Sequence, residues 1–317
     1  MRTINESDTI IKRRDSTMKI GFIGLGIMGK PMAGHLVAHG HTVKAFDLNQ
    51  KATEALAAQG AIACTSSKDA AYESDVIITM LPKAAHVESA LFAENGVVEG
   101  AKPGAIVIDM SSISPVETKK IAAELKTHHL RMMDAPVSGG EPKAVDGTLA
   151  IMAGGEEEAF QEVLPLLECM GTNIVLVGAV GSGTTAKLAN QVMVNVNIAA
   201  MSEAFILAAK AGIDLPKMYE AIRSGLAGSA VLDAKAPLIF ERNFVAGGRI
   251  DINAKDLTNV LNTAKELEVD MPLSDRVLSM FNELITDGKA ADDHGGLIQY
   301  YEKTAGTKVA APVFEGK

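Results

Sequence analysis

A strand, a glycine-rich turn and a helix open this chain in that order, and few folds accommodate the sequence Gly24, Gly26, Gly29 between the first two elements and the third. KIGFIG, from Lys19 to Gly24, carries the apolar run of a buried strand, and Ile27 to His39 has the pattern of the helix that follows. In such a GxGxxG turn the first glycine permits the tight bend and the second lets a pyrophosphate approach the backbone. The third allows close helix–strand packing, and the helix N-terminus supplies N–H groups and a favourable dipole. The intervening Leu25, Ile27 and Met28 then belong to the same dinucleotide-binding loop. VKAFD, from Val43 to Asp47, is a second strand ending in a carboxylate, 18 positions after Gly29. A carboxylate there hydrogen-bonds a free ribose 2′-OH and repels a 2′-phosphate, and Leu48 and Asn49 follow it in place of an arginine, so NAD(H) is favoured over NADP(H). A turn or capping role for Asp47 is compatible with that contact.

The rhythm of strand and helix continues through DVIITM and AIVIDM, strands centred on Ile77 and Val107, as in a parallel sheet covered on both faces. MMDAPVSGG, TLAIMAGG and NIVLVG predict three more strands, with a helix over Glu156 to Cys169. After Gly181 the strand signals stop. Thr184 to Ala211 predicts one long helix closed by Gly212, and helical segments follow at Leu215–Ser224, Asp256–Glu268 and Pro272–Thr286. The expected class is α/β: a Rossmann-type dinucleotide-binding domain over residues 18–180, then an all-helical domain over residues 181–317 that begins with a long interdomain helix.

Composition closes off other readings. A net charge of −9 and no basic face oppose nucleic-acid binding. Cys64 and Cys169 stand far apart, without the spacing of a disulfide framework or zinc site, and fit a reducing cytoplasm. The histidines are scattered, so no metal is expected. Apolar runs such as Ala105–Ile108 are strand-sized, and no membrane span is predicted. Residues 1–17 are polar, lack the apolar stretch of a secretory signal, and are read as a disordered extension.

Two further features bear on chemistry. Ser138, Gly139 and Gly140 follow a strand and form either an ordinary turn or a small concave site of uncovered N–H groups suited to a carboxylate. Lys187 lies in the first turns of the long apolar helix, where a lysine either snorkels to the surface or, if buried near a cofactor, titrates low enough for acid/base work. Asn190 and Gln191, three and four positions on, share its face.

These residues resemble the β-hydroxyacid dehydrogenase family. FIGLGIMGKPMAGHL, MLP at Met80–Pro82, DMSSISP at Asp109–Pro115, DAPVSGG at Asp134–Gly140, GSGTTAKLANQ at Gly181–Gln191 and AKDL at Ala254–Leu257 match it in order, and the likeness runs from Met18 to about Lys303. The resemblance implies hydride transfer between NAD(H) and a short β-hydroxyacid, without a metal, and assigns the roles. Lys187 is the general acid/base. Ser138, Gly139 and Gly140 cradle the substrate carboxylate, while Asn190 and Gln191 orient substrate oxygens, Gln191 standing where the family often has Asn. Ser112, where the family commonly has Thr, lies beside the nicotinamide ribose and substrate; Leu81 and Pro82 line the cofactor cleft, and Lys255 reaches it from the second domain. DAPVSGGEPKAVDGTL and GLAGSAVLDAKAP look most like the branch that reduces tartronate semialdehyde, with 3-hydroxyisobutyrate or related short semialdehydes and glyoxylate as alternatives. The long helix and apolar second domain imply a homodimer or homotetramer.

Overall fold

The computed structural model describes residues 17–310, so the extension expected over residues 1–17 lies, apart from Thr17, outside the described residues. The first region alternates β1 (Lys19–Ile23), α1 (Gly29–Ala38), β2 (Thr42–Phe46), α2 (Gln50–Ala57), β3 (Ile62–Ala63), α3 (Ser67–Ala71), β4 (Val76–Thr79), α4 (Ala84–Phe92), β5 (Ile106–Asp109), α5 (Pro115–Thr127) and β6 (Arg131–Asp134). These six strands are all parallel. β7 (Val137–Ser138), α6 (Gly140–Asp146), β8 (Leu149–Gly154), α7 (Glu157–Leu167) and β9 (Gly171–Gly178) complete a sheet of order β3-β2-β1-β4-β5-β6-β8-β7, with β9 on β8.

Alternation along the strands builds two cores. Ile20, Phe22, Val76, Ile78, Ile106 and Ile108 face Met32 and Leu36 of α1 and Phe160 and Leu166 of α7. Ile77, Val107 and Met132 face the other way, onto Val87 of α4 and Ile121 and Leu125 of α5. Strands buried on both faces need near-continuous apolar sequence, which VIIT and IVID supply. The ends of these strands gather the motifs: the glycine loop follows β1, Asp47 follows β2, Leu81 and Pro82 follow β4, and Ser112 follows β5.

The second region is helical: α8 (Ser182–Lys210), α9 (Leu215–Arg223), α10 (Ala230–Phe240), α11 (Ile250–Glu266), α12 (Pro272–Thr286) and α13 (Ile298–Ala305), with a 3₁₀ turn at His294–Leu297. Among the described residues α8 alone is long and apolar enough to cross a membrane by composition. Polar residues from Lys187 to Asn197 break its apolar runs, which is why the longest runs in the sequence are strand-sized. Phe205 and Ile198 of α8 pack with Ala236, Leu257 and Phe281 in one core, so α8 is the central helix of this region.

Several predicted elements are corrected. MMDAPVSGG is two strands, because Pro136 has no N–H for the ladder and interrupts it between β6 and β7, both of which run antiparallel to β8 in one register. The first helix starts at Gly29 and not Ile27, leaving Gly24–Met28 as a loop. α11 begins at Ile250, so Asp256 is inside the helix and not at its start. α10 was not anticipated from periodicity; Ser229 caps it, accepting from the Leu232 N–H at 3.0 Å.

Candidate active site

The nucleotide end is shaped by backbone. Gly24 has φ +98°, and a Cβ there would collide with the Met80 carbonyl oxygen; one on Gly29 would collide with the Gly24 carbonyl oxygen. At Gly26 a Cβ would meet nothing within 4 Å, so this face of the loop is open to an approaching ligand. An open glycine face beside the α1 N-terminus fits a pyrophosphate, and the residues present fit NAD(H). The Asp47 carboxylate accepts from Leu25 N–H at 2.6 Å and from Asn49 N–H at 2.7 Å, tying the second strand to the glycine loop. Each oxygen keeps a lone pair for a ribose hydroxyl. Leu48 is 95 % exposed and Ile27 also faces solvent, so both border the loop and form no part of its interior.

The other end is shaped by side chains on α8. Gly183 lets this helix dock on the sheet, since a Cβ there would strike the Met152 carbonyl oxygen of β8. Asp134, at the end of β6, accepts from Gly181 N–H through Oδ1 and from Thr184 N–H through Oδ2, both at 2.7 Å. A carboxylate bonded to the free N–H groups of a helix start compensates their charge and fixes where the helix begins. Burial raises the Asp134 pKa, against the lowering by those N–H bonds.

Lys187 follows one turn later and is 9 % exposed. No hydrogen bond or ion pair holds its ammonium among the described residues. Burial pushes its pKa below the ordinary lysine range; the Asp256 carboxylate opposes that shift and the Lys255 charge adds to it.

A continuous polar path starts on the same face of α8. Ser138 Oγ donates to Asn190 Oδ1 at 3.2 Å, and Asn190 Nδ2 donates to Gln191 Oε1 at 3.0 Å. Gln191 Nε2 donates across to α11, to Asp256 Oδ2 at 2.7 Å and Asn253 Oδ1 at 3.3 Å. Asp256 Oδ1 pairs with Lys255 Nζ at 3.0 Å, and Lys255 returns to the first region, donating to the carbonyls of Ser112 at 2.8 Å and Pro82 at 3.2 Å. Ser138, Asn190, Gln191, Lys255, Ser112 and Pro82, spread over the sequence, are thereby joined. Leu81 is held alongside by its N–H, which donates to Ser111 Oγ at 2.9 Å. At the turn, Gly139 has φ +138° and Gly140 φ +69°, and the Lys143 stem lies over Gly139.

Gln191 differs from its expected role: its amide is committed to Asn190, Asn253 and Asp256, which makes it a bracket between α8 and α11. Sequence reasoning missed Asp134, Asn253 and Asp256. Asp134 opens DAPVSGG and Asp256 lies in AKDL, so both were in view without an assigned task; Asn253, three positions before Asp256, shares its helical face.

A strand–glycine loop–helix unit joined to a helical domain that buries a lysine at the cleft defines an NAD-binding oxidoreductase. Residues 19–178 match the family described as the NAD binding domain of 6-phosphogluconate dehydrogenase, and residues 181–301 match the NAD-binding domain of NADP-dependent 3-hydroxyisobutyrate dehydrogenase. The chain is 41 % identical to 2-hydroxy-3-oxopropionate reductase of Escherichia coli, over 92 % of this chain and 100 % of that protein. It is 37 % identical to 2-(hydroxymethyl)glutarate dehydrogenase of Eubacterium barkeri, over 93 % and 99 % of the two chains. The solved structure of Mycobacterium tuberculosis 3-hydroxyisobutyrate dehydrogenase with L-serine superposes with a TM-score of 0.84 at 31 % identity, covering 90 % of this chain and 99 % of that one. The chain belongs to the β-hydroxyacid dehydrogenase family.

Proposed function

We propose that the protein reduces tartronate semialdehyde (2-hydroxy-3-oxopropanoate) to glycerate with NADH, with Lys187 as general acid. The observation that carries the acid/base role is a buried lysine with no fixed partner, on the helical face of Asn190 and Gln191, which are bonded to Ser138 and to α11. NADH, when bound, supplies the hydride. The turn at Ser138–Gly140 holds the substrate carboxylate, which fixes the carbon presented for reaction. Lys187 Nζ donates a proton to the carbonyl oxygen as negative charge develops there, and in the oxidative direction the neutral amine takes it back. Its lowered pKa makes the neutral form reachable at a lower pH than for an exposed lysine. Asp134 sets the height of α8, and Gln191, Asp256 and Lys255 hold α11 against the first region, so the lysine is delivered to one place.

The cofactor reading, NADH over NADPH, rests on the Asp47 charge beside the glycine loop. The substrate reading is supported by the full-length likeness to the Escherichia coli reductase and by the GEPKA sequence that follows Ser138 and Gly139. The Mycobacterium tuberculosis structure favours 3-hydroxyisobutyrate as the second reading. Exposed Met193 and Leu207 on α8 support a homo-oligomer, and two unpaired, buried cysteines support a cytoplasmic location. Initial rates with NADH on tartronate, methylmalonate and succinic semialdehydes and on glyoxylate test the proposal. Tartronate semialdehyde should have the highest catalytic efficiency; a higher value for methylmalonate semialdehyde would put the second reading in its place.

A further inference from the structure

Beyond the polar path from α8 to α11 lies a second polar cluster that the mechanism does not use. Asp293, buried between α12 and the 3₁₀ turn, is gripped by Lys235 Nζ of α10 at 2.8 and 2.9 Å. Its Oδ2 also accepts from the N–H groups of Gly247 and Gly248, at 2.9 and 3.1 Å. The strap they form reaches the carboxylate turn: a Cβ on Gly140 would stand 3.3 Å from the Gly247 carbonyl oxygen. This gives a physical task to the SAVLDAKAP segment, whose Lys235 anchors the strap through Asp293.

His294 backs the same strap. Its N–H donates to the Gly248 carbonyl at 2.8 Å, and its ring lies against Gly248 beside Asn253, with Nε2 at 3.4 Å and Asn253 Nδ2 at 3.6 Å from a Cβ built there. Asn253 is the residue that receives Gln191, so the ring stands next to the polar path that leads from α8 to α11. The side chain is 9 % exposed, and Nδ1 is buried with no hydrogen-bond partner. Buried polar atoms are nearly always partnered, so this nitrogen calls for a partner that the chain itself does not supply. Burial, together with the charges of Lys235 and Lys187, lowers the pKa of this histidine to about 4 against the pull of Asp293, so the ring is neutral at physiological pH. A neutral imidazole donates from one nitrogen and accepts at the other.

A three-carbon semialdehyde with its carboxylate at Ser138–Gly140 and its carbonyl oxygen at Lys187 has one position left to read, the substituent on the carbon between them. The strap touches the carboxylate turn, and the His294 ring behind it feels the charge of Lys187, so the ring is close to both. We propose that the His294 imidazole is the hydrogen-bond partner of a hydroxyl on that central carbon and sets the preference for hydroxyl over methyl. The inference rests on the substrate reading above and names the residue behind it. With a methyl at that position the ring nitrogen stays unpaired, and a site built around a substrate hydroxyl discriminates strongly against the analogue without it.

Oxidation of glycerate, 3-hydroxyisobutyrate and 3-hydroxypropionate with NAD⁺ compares hydroxyl, methyl and hydrogen at the central carbon. In His294→Leu the ratio of glycerate to 3-hydroxypropionate efficiency should fall by about 10- to 100-fold, and in His294→Gln, which keeps a donor and an acceptor on a different frame, it should fall by less. Equal losses on all three substrates would mean a structural role and overturn the proposal. If His294→Leu fails to fold, judged by NAD⁺ binding, a His294→Gln ratio identical to wild type overturns it instead. A wild-type enzyme that prefers 3-hydroxyisobutyrate removes the substrate reading and this inference with it; one that prefers glycerate while both variants keep the wild-type ratio removes only the role of His294.

Discussion

The nucleotide end of the cleft is made of backbone, and the proton-transfer end is made of side chains from two regions. At the first, Gly24 and Gly29 are required because nothing larger fits, and Asp47 fastens the loop through two N–H groups within the one stretch from Lys19 to Asn49. At the second, Lys187 is placed by Asp134 from β6 and by Gln191, Asp256 and Lys255, of which Gln191 and Asp256 meet across 65 positions of sequence. A backbone site tolerates change nowhere near its glycines but depends little on the rest of the fold. A side-chain site depends on the docking of α8 and α11, and through Lys255 on contact between the two regions.

The sharpest way to break this comparison is Lys187→Ala. Removing the proton donor should lower turnover by about 100- to 10,000-fold, while NADH affinity, which belongs to the other end, stays near wild type by fluorescence titration. Lys187→Arg should recover little, because a guanidinium does not release its proton near neutral pH. In the wild type the rate of oxidation should rise with pH, with a midpoint below the ordinary lysine range, and reduction should fall off over the same interval. Near-normal turnover in a folded Lys187→Ala protein would mean that the two ends are not divided in this way.

A smaller effect tests the other end. Asp47→Asn keeps one acceptor oxygen, for the Leu25 N–H, and removes the charge together with the bond from the Asn49 N–H. It should narrow the NADH-to-NADPH efficiency ratio by about tenfold and leave the pH profile of Lys187 in place. An unchanged ratio would reduce Asp47 to a loop fastener.

How much of each end is legible in sequence follows from the same division. The glycine loop is a local pattern with a steric cause, so Gly24, Gly26, Gly29 and Asp47 are readable from spacing alone. Lys187 on periodicity is equally a surface lysine; only a family likeness separates the two readings, because burial depends on α11 docking over it. Gln191 shows the limit. Its position on the Lys187 face is correct helical geometry, but whether its amide turns to substrate or to Asp256 is decided by a helix some 65 residues on. Asn253 and His294 carry no local signal, since a lone Asn or His in a helical region has many bland uses. Pro136, by contrast, was readable as a break in the strand, and the apolar flanks of MMDAPVSGG outweighed it.

Asp109 provides the finest test, because it stands at the end of β5 between the two ends and opposite Asp134 in the strand register. Its Oδ1 accepts from Thr79 Oγ1 at 2.8 Å and Ser111 N–H at 3.1 Å, while Oδ2 is buried with no partner. Burial is the main cause that lifts its pKa to about 6, with the Asp134 charge adding to it and the Ser111 and Thr79 bonds opposing. The folded chain thus holds this proton more tightly than the unfolded chain. Between the ordinary carboxylate range and about pH 6, stability from this group is lost as pH rises, and above that both states are ionised and the full cost of the buried charge is present. Asp109→Asn should therefore stabilise the protein at pH 8 by on the order of 1–3 kcal/mol, a rise of a few degrees in Tm, and the gain should shrink steadily toward pH 4. Thermal unfolding of wild type and variant at pH 8, 6 and 4.5 measures it. A gain of equal size at every pH would assign the effect to packing, and no gain at pH 8 would mean that the carboxylate is paired in solution, so that the floor beneath the proton-transfer end carries no buried charge.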